Sequence, residues 1–398
     1  MNKLLLLIFL FIPTIFFSQK LPDVTVEMLQ AEQHADTFSD AAYLNKDCAI
    51  NFIFTDEKIY LEYNIKERIK VYNEGGVSYG DFTISLYEEP SKKEKLVKIK
   101  GKTYNLSNGK IEKVSLSRKN DVYEEQTSDN WKRVKFAMPN VKAGSIVEVE
   151  YQIKSPYIYQ LDRWYFQEDI PVGESNYLIK SPEYFIYTPV PQGFHHIEKT
   201  EKSIGASKHG EVEFLYTARN VPPVKEDEFV LNKNDYRCSV KFELYATKFP
   251  NNGAKYYSKD WDKIGQQLLN GNGFGKEINR NLKDLEPIVS QAKTLTGEAR
   301  VKYIYEYVRD NVSWNGDIGI NSKDGLKKFI SNKTGSVADI NLLLLNLLKK
   351  SDVIAYPFVG KSRNSGVLND NFPTLTDLNY VMVYLPADDG KSLSLIHI

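Results

Sequence analysis

The chain has 398 residues, and its 52 basic and 52 acidic side chains cancel to a net charge of zero. This balance leaves no basic stripe for nucleic acid and no long charge run, and the length suggests two or three domains. Hydrophobic content of 42% with 26 tyrosines and 20 phenylalanines points to a folded, sheet-rich protein.

In chain order, the first element is a secretory signal at residues 1–18. Lys3 supplies the positive start, residues 4–17 are apolar, and Ser18 is a small residue suited to cleavage before Gln19. An uncleaved anchor is the other reading of this stretch. It is short for a membrane span, and no other segment reaches about 18 apolar residues. No cysteine follows it, so a lipoprotein anchor is not expected. The mature protein is expected to be exported: periplasmic, outer-membrane associated or extracellular.

Residues 19–50 read as a lead-in with a short helix at 26–33. Residues 51–248 read as mostly β. Phe52, Phe54, Tyr60, Tyr63, Ile65, Ile69 and Val71 approximate period-2 patterning. Turns are expected at 73–76 and at 107–110, the second an Asn108-Gly109 hairpin between 103–106 and 110–114. Further on, Pro139 ends a strand, Gly144 turns the chain, and Val147, Val149 and Tyr151 share a face opposite Glu148 and Glu150. The motifs Pro139-Asn140-Val141, Gly144-Ser145 and Trp164 to Pro171 together resemble an uncharacterised β-sandwich domain that often precedes transglutaminase-like cores in secreted bacterial proteins. The resemblance covers roughly 50–225.

After Pro222-Pro223 one more strand is expected over 236–248, and from 258 the pattern turns helical. Trp261, Ile264, Leu268 and Leu269 fit helical spacing, as do Ala299, Tyr303, Tyr307 and Val308. A leucine-rich helix then follows Gly335-Ser336, and strands are expected at 354–359 and 379–385. Cys48 and Cys238 each lie in strand-like runs, read as buried thiols or as a disulfide.

Residues 335–348 resemble the nucleophile helix of a transglutaminase-like (papain-type) core, whose pattern is Gly-x-Cys-x-Asp before an apolar helix. Gly335 and Asp339 fit, but Val337 holds the cysteine position. A thiol at a helix N-terminus is favoured as thiolate and needs a histidine partner; valine supplies nothing. None of the five histidines lies between 210 and 396, and Tyr380 falls where the family histidine would open a strand. The third catalytic position, an acid on a following strand, would lie at or beyond the end of this chain. The same helix is also readable as an ordinary buried one. The resemblance implies a fold of class α+β: an N-terminal antiparallel β-sandwich followed by a truncated transglutaminase-like papain-type core at 258–392, catalytically silent.

Candidate cleft-lining residues are Trp314, Ser336, Asp339, Asn341, Arg363 and Asn379. Trp314 is also readable as a core anchor, Asp339 and Asn341 as complements to the helix N-terminal dipole, and Arg363 as part of a solvated loop. No metal site is expected, since no Cys-x-x-Cys pair exists and the adjacent His195-His196 pair cannot by itself face one ion well in a strand. No cofactor is expected either, since no glycine-rich phosphate loop follows a strand. The function expected is that of a non-catalytic envelope protein binding a peptide or glycan. The alternatives are a structural partner in a surface or export complex and a hydrolase using Ser336. Residues 393–398 resemble the translated end of a sequencing-library adaptor, so natural sequence is expected to stop near 392.

Overall fold

A computed structural model describes residues 21–34, 38–55, 58–128, 130–204, 210–225, 230, 232–250, 252–257, 260–368, 370, 373–386 and 393–395. The expected signal at 1–18, and residues 396–398 of the expected adaptor sequence, lie outside them. The structure is 44% strand and 25% helix, which makes it mixed α+β with a large N-terminal sheet region. It divides into two compact units, Met1–Lys225 with Arg237–Ala254, and Glu226–Tyr236 with Lys255–Ile398.

The first unit is built on an eight-stranded sheet. Its spatial order is Glu198–Ile204, Glu211–Val221, Val172–Pro182, Ala41–Phe54, Ile59–Val71, Ile146–Ser155, Lys95–Ser107 and Lys110–Ser115. Two smaller sheets cover one face. One, built from Gln160–Tyr165, Ser239–Thr247 and Phe185–Gln192, packs Leu161, Val240 and Phe242 onto Ile50, Leu61, Tyr63 and Ile65. The other carries Asp81–Glu89 and Trp131–Ala137, and packs Ile84, Leu86, Val134 and Phe136 onto Leu96, Ile99, Val147 and Val149. Burying these apolar faces removes them from water at about 25 cal/mol per Å².

The expected antiparallel arrangement needs a correction. Strands 41–54 and 172–182 run parallel, with Cys48 opposite Tyr177. Strand 160–165 carries the chain into the second layer before 172–182 returns, so the returning strand arrives in the same direction as its neighbour. The first strand also starts at Ala41, inside the expected lead-in, because 41–54 pairs along its length with 59–71. The lead-in helix is Val26–Gln30, shorter than expected, with Thr25 accepting from the Met28 amide. Leu29 packs on Tyr104 and Ile146, on the sheet face opposite the two small sheets. The buried Arg68 and Lys70 hold this segment by donating to the carbonyls of Pro22 and Leu29. The 107–110 hairpin forms, with Asn108 and Gly109 at φ 49° and 75°, the positive values a type I′ turn requires. Cys48 and Cys238 are buried free thiols, and burial pushes both above the usual thiol range.

The second unit wraps helices around one apolar rod, Val337–Lys350. From Val337 to Leu348 every residue except Asp339 is buried, the all-round burial of a central core helix. Against it pack Gly297–Asn311, Leu326–Asn332 and a short antiparallel sheet of Tyr356–Gly360, Tyr380–Leu385 and Leu393–Leu395. Val381, Val383 and Leu385 face the helix side, joining Leu342–Leu348 in one cluster. Among the described residues, no helix is long and apolar enough to cross a membrane.

Candidate functional site

The start of helix 337–350 is the point on which the sequence argument converges. Ser336 is its N-cap. Its hydroxyl oxygen accepts from the Asp339 amide at 3.2 Å, while Asp339 Oδ2 accepts from the Ser336 amide at 2.8 Å. This reciprocal capping box satisfies two of the amides that a helix start leaves without intrahelical partners. The Ser336 hydroxyl donates back to Asp339 Oδ2 at 2.7 Å, and the buried Ser322 hydroxyl donates to Asp339 Oδ1 at 2.5 Å. Asp339 thus receives three donors, and the Ser336 proton is held by a group that is itself a cap.

Gly335 is required sterically. A Cβ there would fall 2.6 Å from the Phe329 ring and 2.8 Å from Asp339 Oδ2. Residues 313–317 lie over the same helix start. Ser313–Trp314 pairs in parallel with Thr334–Gly335, and the Asn315 amide donates to the Gly335 carbonyl at 2.9 Å. The Asp317 carbonyl then accepts twice, from Trp314 Nε1 at 2.7 Å and from the Val337 amide at 3.1 Å. Val337, at the first helical position, is 8% exposed. Its amide would be a natural donor to a developing oxyanion, but here it is occupied by the chain itself.

The other candidate residues are placed as follows. Trp314 is 54% exposed, with its indole tied to the 317 carbonyl. Asn341 is buried and donates to the Val337 carbonyl one turn back, at 3.0 Å. Tyr380 opens its strand and is half-buried, and burial raises its phenol above the ordinary range. Asn379 braces the neighbouring loop: its side chain accepts from the Ser362 amide at 2.7 Å and donates to the Ser362 and Ser365 hydroxyls. Arg363 lies exposed in that loop, and its carbonyl accepts from Asn232 at 3.0 Å. Ser336, Val337, Asp339, Asn341 and Trp314 therefore gather at one helix start, while Asn379 and Arg363 belong to one braced loop.

Sequence reasoning missed Ser322 and Asp317, since neither sits in a motif and both reach the helix by chain folding alone. It also missed Asn346. This residue, 1% exposed in the middle of the helix, donates to the carbonyls of Glu277, Ile278 and Arg280 at 2.9–3.0 Å. A lone amide inside a leucine run was the available signal. Among the described residues, no group of three or more His, Cys, Asp or Glu is placed to hold a metal ion.

Residues 61–225 match a family model described as a domain of unknown function (DUF3857). In solved structures, the chain is similar to a protein of Parabacteroides distasonis ATCC 8503 provisionally described as a protease. The two share 18% identity and a TM-score of 0.63, covering 90% of this chain and 67% of that one. That likeness establishes a shared fold. An M1 zinc metallopeptidase from Deinococcus radiodurans aligns at 10% identity over 54% of this chain and 46% of its own, with a TM-score of 0.26, too low to carry an argument. No curated protein matches the sequence.

Proposed function

We propose that the chain is an exported, non-catalytic cell-envelope protein. Its second unit is a transglutaminase-like core in which Val337 and Tyr380 stand where cysteine and histidine would act, and its residual cleft binds an extended peptide or glycan. The observation that carries this reading is the helix start. A valine occupies its first position, and the amide there is bound by the Asp317 carbonyl. A site that stabilises an oxyanion needs free donors aimed at the reacting atom, and a nucleophile needs a base. The arrangement at 336–339 offers neither, because the Ser336 hydroxyl and the Asp339 carboxylate serve each other as caps.

The test is turnover. Purified protein is assayed on fluorogenic peptide amides and on cell-wall peptide, beside Ser336→Ala. No hydrolysis above buffer is expected in either, with saturable peptide or glycan binding retained in both. Turnover abolished by Ser336→Ala would replace this reading with a serine hydrolase. Stoichiometric co-purification with one envelope protein, without small-ligand binding, would replace it with a structural role.

A further inference from the structure

At the far end of helix 337–350 from Ser336, the second unit has an apolar groove of about 580 Å³. Leu268, Leu269, Phe274, Ile354, Tyr356 and Val359 line it, and Lys349 stands at its margin. The volume falls within the roughly 300–1,000 Å³ of small-ligand sites. The rim is open and apolar, with Leu269, Ile354 and Tyr356 each more than half exposed. Leu269 also lines an adjoining polar recess with Lys276, Asn279 and Arg280. The two hollows are joined chemically as well, since Lys349 Nζ lies 3.5 Å from Asn279 Oδ1.

The charges here are one-sided. Arg280 is neutralised by the buried Glu277, whose Oε2 also accepts from the Leu326 amide at 3.0 Å. The Lys276 ammonium has no hydrogen bond or ion pair among the described residues, and the Lys349 ammonium has only its long contact to Asn279. Among the described residues, no acidic side chain lines either hollow. A peptide laid in the groove would bury backbone N–H and C=O groups against hydrocarbon, at a cost of roughly 1–3 kcal/mol for each one left unpaired. Pro357 removes one donor from the adjacent strand that might have paired with it. An alkyl chain has no such groups to bury.

We propose that this bipartite hollow binds a single-chain anionic amphiphile, its alkyl chain along Leu268, Leu269, Phe274 and Ile354 and its carboxylate or phosphate head between Lys349 and Lys276. The site is separate from the helix start and does not depend on the reading given to it.

Titration calorimetry on the full chain tests this, with dodecanoate as the probe below its micellar concentration and dodecyltrimethylammonium as the cationic counterpart. Two double variants probe the two halves: Lys276→Glu with Lys349→Glu, and Leu269→Asp with Ile354→Asp. All four side chains are exposed, and unchanged thermal melting checks that folding is spared. Saturable, equimolar dodecanoate binding is expected. It should be at least about tenfold weaker in each variant, and at least about tenfold tighter than binding of the cationic surfactant. Equal affinity for the two surfactants, indifference to either variant, or no saturable binding would overturn the proposal. So would binding seen only with phosphatidylglycerol vesicles, which would assign the patch to a membrane surface.

Discussion

Glu67 provides the sharpest test of the first unit. It lies on the inward face of strand 59–71 with Leu61, Tyr63, Ile65, Ile69 and Val71, directly opposite Lys46 in the register, and is 8% exposed. Lys46 gives its ammonium to Glu168 at 2.6 Å and to the Tyr165 carbonyl at 2.8 Å, over the Trp164 ring. Arg237 binds the other Glu168 oxygen. Both cations are thus taken by Glu168, and Glu67 has no ion pair among the described residues. Burial pushes its carboxyl from 4.5 up to about 7; Lys46 opposes the rise and Glu168 adds to it.

Between those values the folded chain keeps a proton that the unfolded chain has released. The stability contributed by this group is therefore complete below pH 4.5 and is lost as pH rises through 7. At 1.36 kcal/mol per pH unit the loss amounts to about 3 kcal/mol. Glu67→Gln fixes the neutral form. Urea unfolding of both proteins at pH 5 and pH 8 should therefore show the variant gaining roughly 2–3 kcal/mol on the parent between the two conditions, because at pH 5 the unfolded carboxyl is already mostly ionised. Asp47, pushed up to about 6 chiefly by burial, titrates in both proteins and cancels in the comparison. A difference between parent and variant that does not change from pH 5 to pH 8 would refute the buried, proton-holding carboxyl.

Four further outcomes are expected. Ser336→Ala removes the cap acceptor at the helix start and should cost about 1 kcal/mol in thermal unfolding; an unchanged melting temperature would contradict the capping role. Val337→Cys should yield no thiol-dependent amide hydrolysis, since it introduces a nucleophile without a base, and measurable iodoacetamide-sensitive turnover would sink that argument. Asn346→Ala leaves the Glu277, Ile278 and Arg280 carbonyls without their shared donor, and should cost about 2–3 kcal/mol by denaturant titration. Gly275→Ala would place a Cβ 1.7 Å from the Leu269 carbonyl oxygen, so the second unit should unfold at markedly lower temperature than the parent; wild-type melting would show that this close approach does not exist.

What the sequence revealed was local. Asn108-Gly109 announces its turn because few other residue pairs adopt two successive positive φ values. Gly335-Ser336 before a leucine-rich run announces the start of a buried helix. What stayed hidden depends on residues far apart in the chain. Lys46, Glu67, Arg68 and Lys70 are charged residues that their side-chain type would assign to solvent, yet all four are buried. Arg68 and Lys70 do lie on the polar face, but residues 22–29 cover it and satisfy both cations with main-chain carbonyls, which leave no signature in side-chain pattern. Glu67 breaks the apolar alternation of its own strand, and its proximity to Lys46 and Glu168 appears only once three segments are brought together. The parallel pairing of 41–54 with 172–182 was illegible for the same reason, because direction is set by where the intervening strands carry the chain.

At the helix start, the residues that match the transglutaminase-like pattern divide by their physical role. Gly335 is held in place by the Phe329 ring and the Asp339 carboxylate, which leave no room for a Cβ. Asp339 is held by the capping box and by Ser322. Both positions are explained by building a helix start, so their presence argues nothing about chemistry. On the proposed reading, the two positions whose only role would be chemical, 337 and 380, carry valine and tyrosine. On that reading, construction has been kept and reactivity lost, and the Asp317 carbonyl seated on the Val337 amide is the contact that separates the two. Moving it would require Trp314 to release the same oxygen, since both donors share it. A bound peptide or glycan that engaged the helix start would therefore shift the Trp314 indole from its present partner. A change in tryptophan emission on ligand addition, absent in Trp314→Phe, is the expected sign, and an unaltered spectrum with saturable binding would place the ligand elsewhere.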